Sequence, residues 1–247
     1  MAAYTFRTTN VETAFKNALR VTSLTPELAK SAALVTTSVA LDGWTPRQVA
    51  WQMFDVTKQT TSVALGAYQF FTGLTPTAAG LDWLVNSPSN LTDLNDGYYT
   101  RFTLENRYIN FAANLGIVGE GRDVFAAAYK PLTFAQAVEK AYDTIIGFPY
   151  ALGAGIEPTD ALIDIVGREA YFKNFAATRM PAYDQDLASK AAMVGYIMAE
   201  AIKAEVGVYA RAIENFYLDI SDGSAEHHVS LVGVYGPDSP IDDLGWG

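Results

Sequence analysis

The stretch TPELAKSAALVTTSVALDG, residues 25–43, decides the fold class. Thr25 is a good helix N-cap, because its hydroxyl can accept an orphan backbone N–H, and Pro26 has its φ preset for the first helical position. Leu28, Ala32, Val35 and Val39 then recur at helical spacing until Asp42-Gly43 supplies a stop. The Thr-Pro opening returns at Thr45-Pro46 and Thr75-Pro76, and Thr9-Asn10-Val11-Glu12 has capping-box spacing ahead of Val11, Phe15 and Leu19. The segment from Pro46 reads as one long helix, or two joined near residues 59–61, ending at Gly73. A short helix from Pro76 stops at Asn86-Ser87-Pro88. Tyr98 to Leu115, Phe134 to Ile146, and stretches around 159–178 and 184–218 add further helices. Period-two alternation is confined to Val229–Tyr235, a short strand or extended linker. The predicted fold class is all-α. It comprises a multi-helix globular domain of helix-turn-helix units over residues 1–223 and an extended, acidic, Gly- and Pro-rich tail over 224–247.

Composition agrees with a folded chain: of 247 residues half are hydrophobic and 18% charged, enough to bury a core. The net charge of -10 and the lack of a basic stripe exclude a nucleic-acid partner. Six of the acids, Asp219, Asp222, Glu226, Asp238, Asp242 and Asp243, follow Leu218 with no Lys or Arg among them, so the negative charge is concentrated at the C-terminal end. With no cysteine, disulfides, thiolate metal sites and cysteine nucleophiles are excluded. Residues 1–20 carry Arg7, Glu12, Lys16 and Arg20 and no apolar run, so no cleaved secretory signal is predicted. Gln59 to Leu81 is uncharged but broken by Gly73 and Pro76, and no transmembrane segment is predicted.

Enzyme motifs are missing: there is no phosphate-cradling loop, nucleophile elbow or zincin helix. The only histidines, His227 and His228, are adjacent in the predicted tail and read as a solvated pair. Two segments match each other, Asp93-Leu94-Asn95-Asp96-Gly97 and Asp219-Ile220-Ser221-Asp222-Gly223. Both patterns suit a tight turn, and both could offer hard oxygens to Ca²⁺. An echo between Ala67–Gly73 and Ala141–Gly147 suits either a repeated unit or recurrent helix-end chemistry. Between 98 and 111, Tyr99, Thr103, Asn106 and Asn110 fall on one helical face and Arg101, Glu105 and Tyr108 on another. Aromatic faces beside amides and guanidinium groups are the chemistry that binds sugars, and they equally suit Tyr rings buried with their hydroxyls at the surface.

The residues Tyr68-Gln69-Phe70-Phe71-Thr72-Gly73, Ala78-Ala79-Gly80-Leu81-Asp82, Asp93-Leu94-Asn95-Asp96, Glu105-Asn106-Arg107 and Ile109-Asn110-Phe111 resemble the N-terminal region of the Caulobacter-type surface-layer protein. Phe125-Ala126-Ala127-Ala128-Tyr129, Ala141-Tyr142-Asp143, Ile145-Ile146-Gly147 and Ser221-Asp222-Gly223 continue the likeness in the same order, which spans about Val11 to Tyr235. The resemblance implies a helical domain that anchors to the O-antigen polysaccharide of lipopolysaccharide, outside the outer membrane, in a calcium-dependent lattice exported without an N-terminal signal. The chain departs from that family in having no Gly-Gly-x-Gly-x-Asp repeats and no Thr/Ser-rich β region. Its last residues, Ile241–Gly247, do not read as a linker, so a complete natural chain is expected.

On this basis Tyr98, Tyr99, Arg101, Asn106 and Arg107 are the candidate sugar contacts, and Asp93, Asn95, Asp96, Asp219 and Asp222 the candidate Ca²⁺ ligands. No catalytic residue is assigned. The expected partners are lipopolysaccharide O-antigen and other copies or lattice components at the cell surface. The alternatives are a self-assembling module without glycan binding and a polysaccharide-acting hydrolase.

Overall fold

The computed structural model describes residues 10–227 and, among these, contains thirteen α-helices and no strand. The all-α expectation holds. His228, the stretch Val229–Tyr235, the acids Asp238, Asp242 and Asp243, and most of the expected tail lie outside the described residues.

Two compact units emerge, both built from separate stretches of chain. The first takes its described residues from 10–64, 76–100 and 212–227. It holds α1 (Val11–Leu19), α2 (Pro26–Leu41), α3 (Pro46–Thr57), the start of α4 (Thr61–Thr72), α5 (Ala78–Val85) and the end of α13 (Val208–Asp219). The second takes 65–75 and 101–211, with α6 (Leu104–Ala113), α7 (Arg122–Tyr129), α8 (Phe134–Ile145), α9 (Phe148–Gly153), α10 (Pro158–Gly167), α11 (Glu169–Arg179) and α12 (Gln185–Ala204).

Helix starts follow local chemistry. The Thr25 side chain accepts the Leu28 N–H, and Thr45 forms a full capping box with Gln48, as does Thr133 with Gln136. The pair Thr75-Pro76 does not open a helix. Thr77 caps α5 instead, accepting the Gly80 N–H, because Pro76 lies in the turn before it. Asn10 precedes α1 but makes no side-chain cap bond; its amide donates to the Asp222 carbonyl. The long segment from Pro46 is two helices joined by a tight turn at 58–60. The single helix expected over Tyr98–Leu115 is in fact a 3-10 turn at Tyr99–Arg101, α6 capped by Thr103, and a π-helical turn at Asn114–Val118. Thr103 takes the N-cap role three residues before Asn106 and so ends the preceding turn.

In the first unit Val11, Ala14, Phe15, Val49, Met53, Leu81, Phe216 and Ile220 are fully buried. A closed hydroxyl triangle sits among them: Thr57 and Ser62 approach the Tyr217 hydroxyl at 2.6 and 3.0 Å and each other at 3.2 Å. In the second unit α12 is buried along almost its whole length, packed against α6, α8 and α11. Gly195 allows α12 its close approach to α6. A Cβ there would stand 2.5 Å from the Tyr108 carbonyl oxygen. Lys190, 1% exposed on the same helix, donates to the Leu132 carbonyl at 2.6 Å and the Tyr129 carbonyl at 3.3 Å and pairs with Asp186.

Candidate glycan-binding surfaces

The two matching Asp-rich segments, both in the first unit, share a local structure. In each the aliphatic residue, Leu94 or Ile220, is fully buried. In each the second Asp accepts the backbone N–H two residues on, Asp96 from Tyr98 at 2.8 Å and Asp222 from Ser224 at 2.7 Å. These are Asx turns, the preferred local use of an Asp side chain. Asp93 is 5% exposed, and its two oxygens accept the N–H groups of Ser87, Asn95 and Asp96 at 2.7–2.8 Å. Its carboxylate is therefore committed to holding the 87–96 loop.

Asp93, Asn95 and Asp96 line an open cleft of about 900 Å³ in this unit, together with Lys16, Asn17, Thr22, Asp82, Asn86 and Glu226. Asp219 and Asp222 do not line it. Arg20 closes the floor from a left-handed backbone conformation at φ 57°. Its guanidinium donates to the carbonyls of Asn17 at 3.1 Å and Ala78 at 3.0 Å and pairs with Asp82 at 2.9 Å. Among the described residues no three carboxylate or imidazole groups stand where they could share one metal ion. The residues present thus fit a Ca²⁺ cage poorly, with Asp93 spoken for and Asn95, Asp96 and Asp222 on exposed turns.

The candidate sugar contacts divide. Tyr98 is 37% exposed, its ring edge-on to Tyr99 at 5.0 Å, whereas Tyr99 is 1% exposed. Arg101 is exposed. Arg107 is 5% exposed, burial lowers its pKa, and its Nε donates to the Phe102 carbonyl at 3.4 Å. Asn106 lies in a groove of about 220 Å³ in the second unit, with Phe102, Asn110, Tyr171, Asn174, Phe175, Thr178 and Arg179.

The groove is built by two helices. Asn106 and Asn110 stand one turn apart on α6, the Asn110 amide donating to the Asn106 carbonyl at 2.8 Å. Tyr171, Asn174, Phe175 and Thr178 repeat at helical spacing on α11, and Arg179 ends it. Burial and the nearby Glu105 carboxylate raise the Tyr171 hydroxyl above its ordinary pKa, so it stays a neutral donor. Aromatic faces, side-chain amides and one guanidinium in a shallow trough can cover the C–H face of a sugar ring and bond its hydroxyls. The α11 residues had escaped the sequence reading. Their signal was Tyr171, Asn174 and Thr178 at i, i+3 and i+7, a spacing that puts polar groups on one face of a helix.

The described residues form an all-α fold that carries two open polar surfaces. The chain belongs to the RsaA N-terminal domain family, whose model matches residues 60–241. This is the N-terminal domain of the Caulobacter-type surface-layer protein, a structural family of the cell surface and not a known enzyme family. No curated protein matches the chain significantly. Among the described residues no helix is long and apolar enough to cross a membrane.

Proposed function

We propose that this chain is a non-enzymatic surface-layer anchor that binds the O-antigen polysaccharide of lipopolysaccharide on the outer face of the cell. The observation that carries the reading is the α6–α11 groove, whose Phe102, Tyr171, Asn106, Asn174 and Arg179 offer the ring faces and directional donors a sugar needs, inside the region matched by the family. The groove is small, so affinity per site is low. A polymer that repeats its epitope, bound by many copies, converts weak sites into firm attachment. Calcium assistance rests on the family resemblance alone, and no part of the anchoring is routed through the ion.

Co-sedimentation of the folded protein with smooth lipopolysaccharide and with lipopolysaccharide lacking O-antigen, each with millimolar Ca²⁺ or with chelator, tests this. Pelleting with the smooth form only is expected. Tyr171→Ala with Asn174→Ala should weaken it at least tenfold, since both side chains are exposed and their loss leaves the fold intact. Equal pelleting in chelator would remove calcium from the proposal. Folded protein that ignores smooth lipopolysaccharide would reject anchoring.

A second reading, contact with another copy or a lattice partner, is favoured by α2. From Ser31 to Leu41 this helix has no charged residue, buries only Ala32 and Val35, and leaves Leu34 and Leu41 61% and 79% exposed.

A further inference from the structure

A second small cavity of the second unit, about 220 Å³, lies among residues of α8, α10 and α12 and differs in chemistry from the sugar groove. Ile146, Ile156, Ile165 and Ile197 give it an apolar wall, Asp164 and Glu200 add carboxylates, and no Lys, Arg or His lines it. Asp164 pairs with Arg168 at 3.0 Å and Glu200 approaches Lys203 at 3.5 Å, both partly exposed pairs weakened by water. Glu157 adds a third negative charge acting on the same place, through its field at Tyr142.

Tyr142 also lines this cavity. It is 1% exposed and its buried hydroxyl has no hydrogen-bond partner. A buried hydroxyl left unpaired is costly, and native proteins rarely tolerate one without a use for it.

We propose that the cavity binds a small organic cation. Its apolar body seats against the isoleucines, its ammonium is held by Glu200 and Asp164, and a hydroxyl on the ligand pairs with the Tyr142 hydroxyl. The volume falls below that of drug-sized sites, so the ligand is a single ring with a short arm. A bare metal ion is unsuited, because the wall offers it too few oxygens. A polysaccharide segment is unsuited, because the isoleucines would leave its hydroxyls unpaired. The site is independent of the anchoring proposal.

Titration of the full chain with tyramine, phenethylamine and 3-(4-hydroxyphenyl)propionate, by calorimetry and ligand-observed NMR, tests it. Tyramine should bind saturably, phenethylamine about fivefold more weakly for want of the hydroxyl, and the carboxylate not at all. Tyr142→Phe, which removes only an unpartnered oxygen and so preserves the fold, should make the two amines equal. Glu200→Gln, at a partly exposed position, should weaken both about tenfold. No saturable tyramine binding, carboxylate binding as tight as amine binding, or amine binding indifferent to either substitution overturns the proposal.

Discussion

His227 fixes the end of the described chain through one ring nitrogen. Its Nε2 lies 2.8 Å from the Pro76 carbonyl, so Nε2 carries the proton, while Nδ1 is buried without a partner and the ring packs edge-on to Phe216 at 4.8 Å. A second proton would put a charge and an unsatisfied N–H in that site. Desolvation, and then the nearby Arg20, hold the pKa below the ordinary 6.5; the Pro76 hydrogen bond, Asp219 and Glu226 oppose this without reversing it. The unfolded state therefore binds the proton more tightly, and stability is lost as pH falls from 6.5 towards the lowered folded value. The melting temperature should drop between pH 7.5 and 5.5, and His227→Gln, which can still donate to Pro76, should reduce that drop. An identical pH profile in the variant would dismiss the imidazole as the cause. None of this was legible in the sequence, which offered two adjacent histidines and no means of placing one against Pro76. Tyr99 and Arg107 teach the same lesson. The face given to Tyr99 assumed an unbroken helix, which the Thr103 cap interrupts, and Arg107, assigned no face, is buried with its Nε donating to the Phe102 carbonyl.

At the scale of elements, helix ends were the most legible part, because a cap is made by residues adjacent in sequence. Thr25-Pro26 and Thr45-Pro46 open α2 and α3 where expected, and the echo between Gly73 and Gly147 corresponds to two positive-φ helix ends, at 72° and 78°. The short helices α7 and α9 were missed, since eight and six residues hold too little periodicity to stand out. Helix pairing was not legible at all. The approach of α12 to α6 depends on Gly195, an unremarkable glycine inside a helix until the Tyr108 and Ile109 backbone is set against it. Gly195→Ala would gain helix propensity of about 1 kcal/mol on an isolated helix. Here the added methyl meets backbone atoms at 2.5 and 2.7 Å, which cannot rotate away, so the helices must separate and the buried faces of both lose contact. A net destabilisation of about 3 kcal/mol or more is expected by chemical denaturation. A stabilised variant would show that the two helices are not held at this distance.

For the whole molecule, the decisive contacts join residues far apart in the chain, and no local pattern announces them. Residues 212–227 return to the first unit and supply Phe216, Tyr217 and Ile220, all fully buried. Tyr217 completes the hydroxyl triangle with Thr57 and Ser62, Glu214 reaches Arg47 at 3.3 Å, and the Asp222 and Gly223 carbonyls accept from Asn10 and Asn17. Truncating after Arg211 would leave Thr57 and Ser62 without the phenol and open a void where three large side chains had packed. Each such loss costs about 2–5 kcal/mol, so three together remove about 6–15 kcal/mol, as much as the roughly 5–15 kcal/mol by which a domain is usually stable. Hydrogen exchange should therefore show the amides of α1 and α3 protected in the full chain and exchanging freely in the chain ending at 211. A chain ending at 227 retains these contacts and should keep that protection. Protection that survives the cut at 211 would mean that α1 and α3 hold their fold without the returning segment, and that residues 212–227 cover the unit without building it.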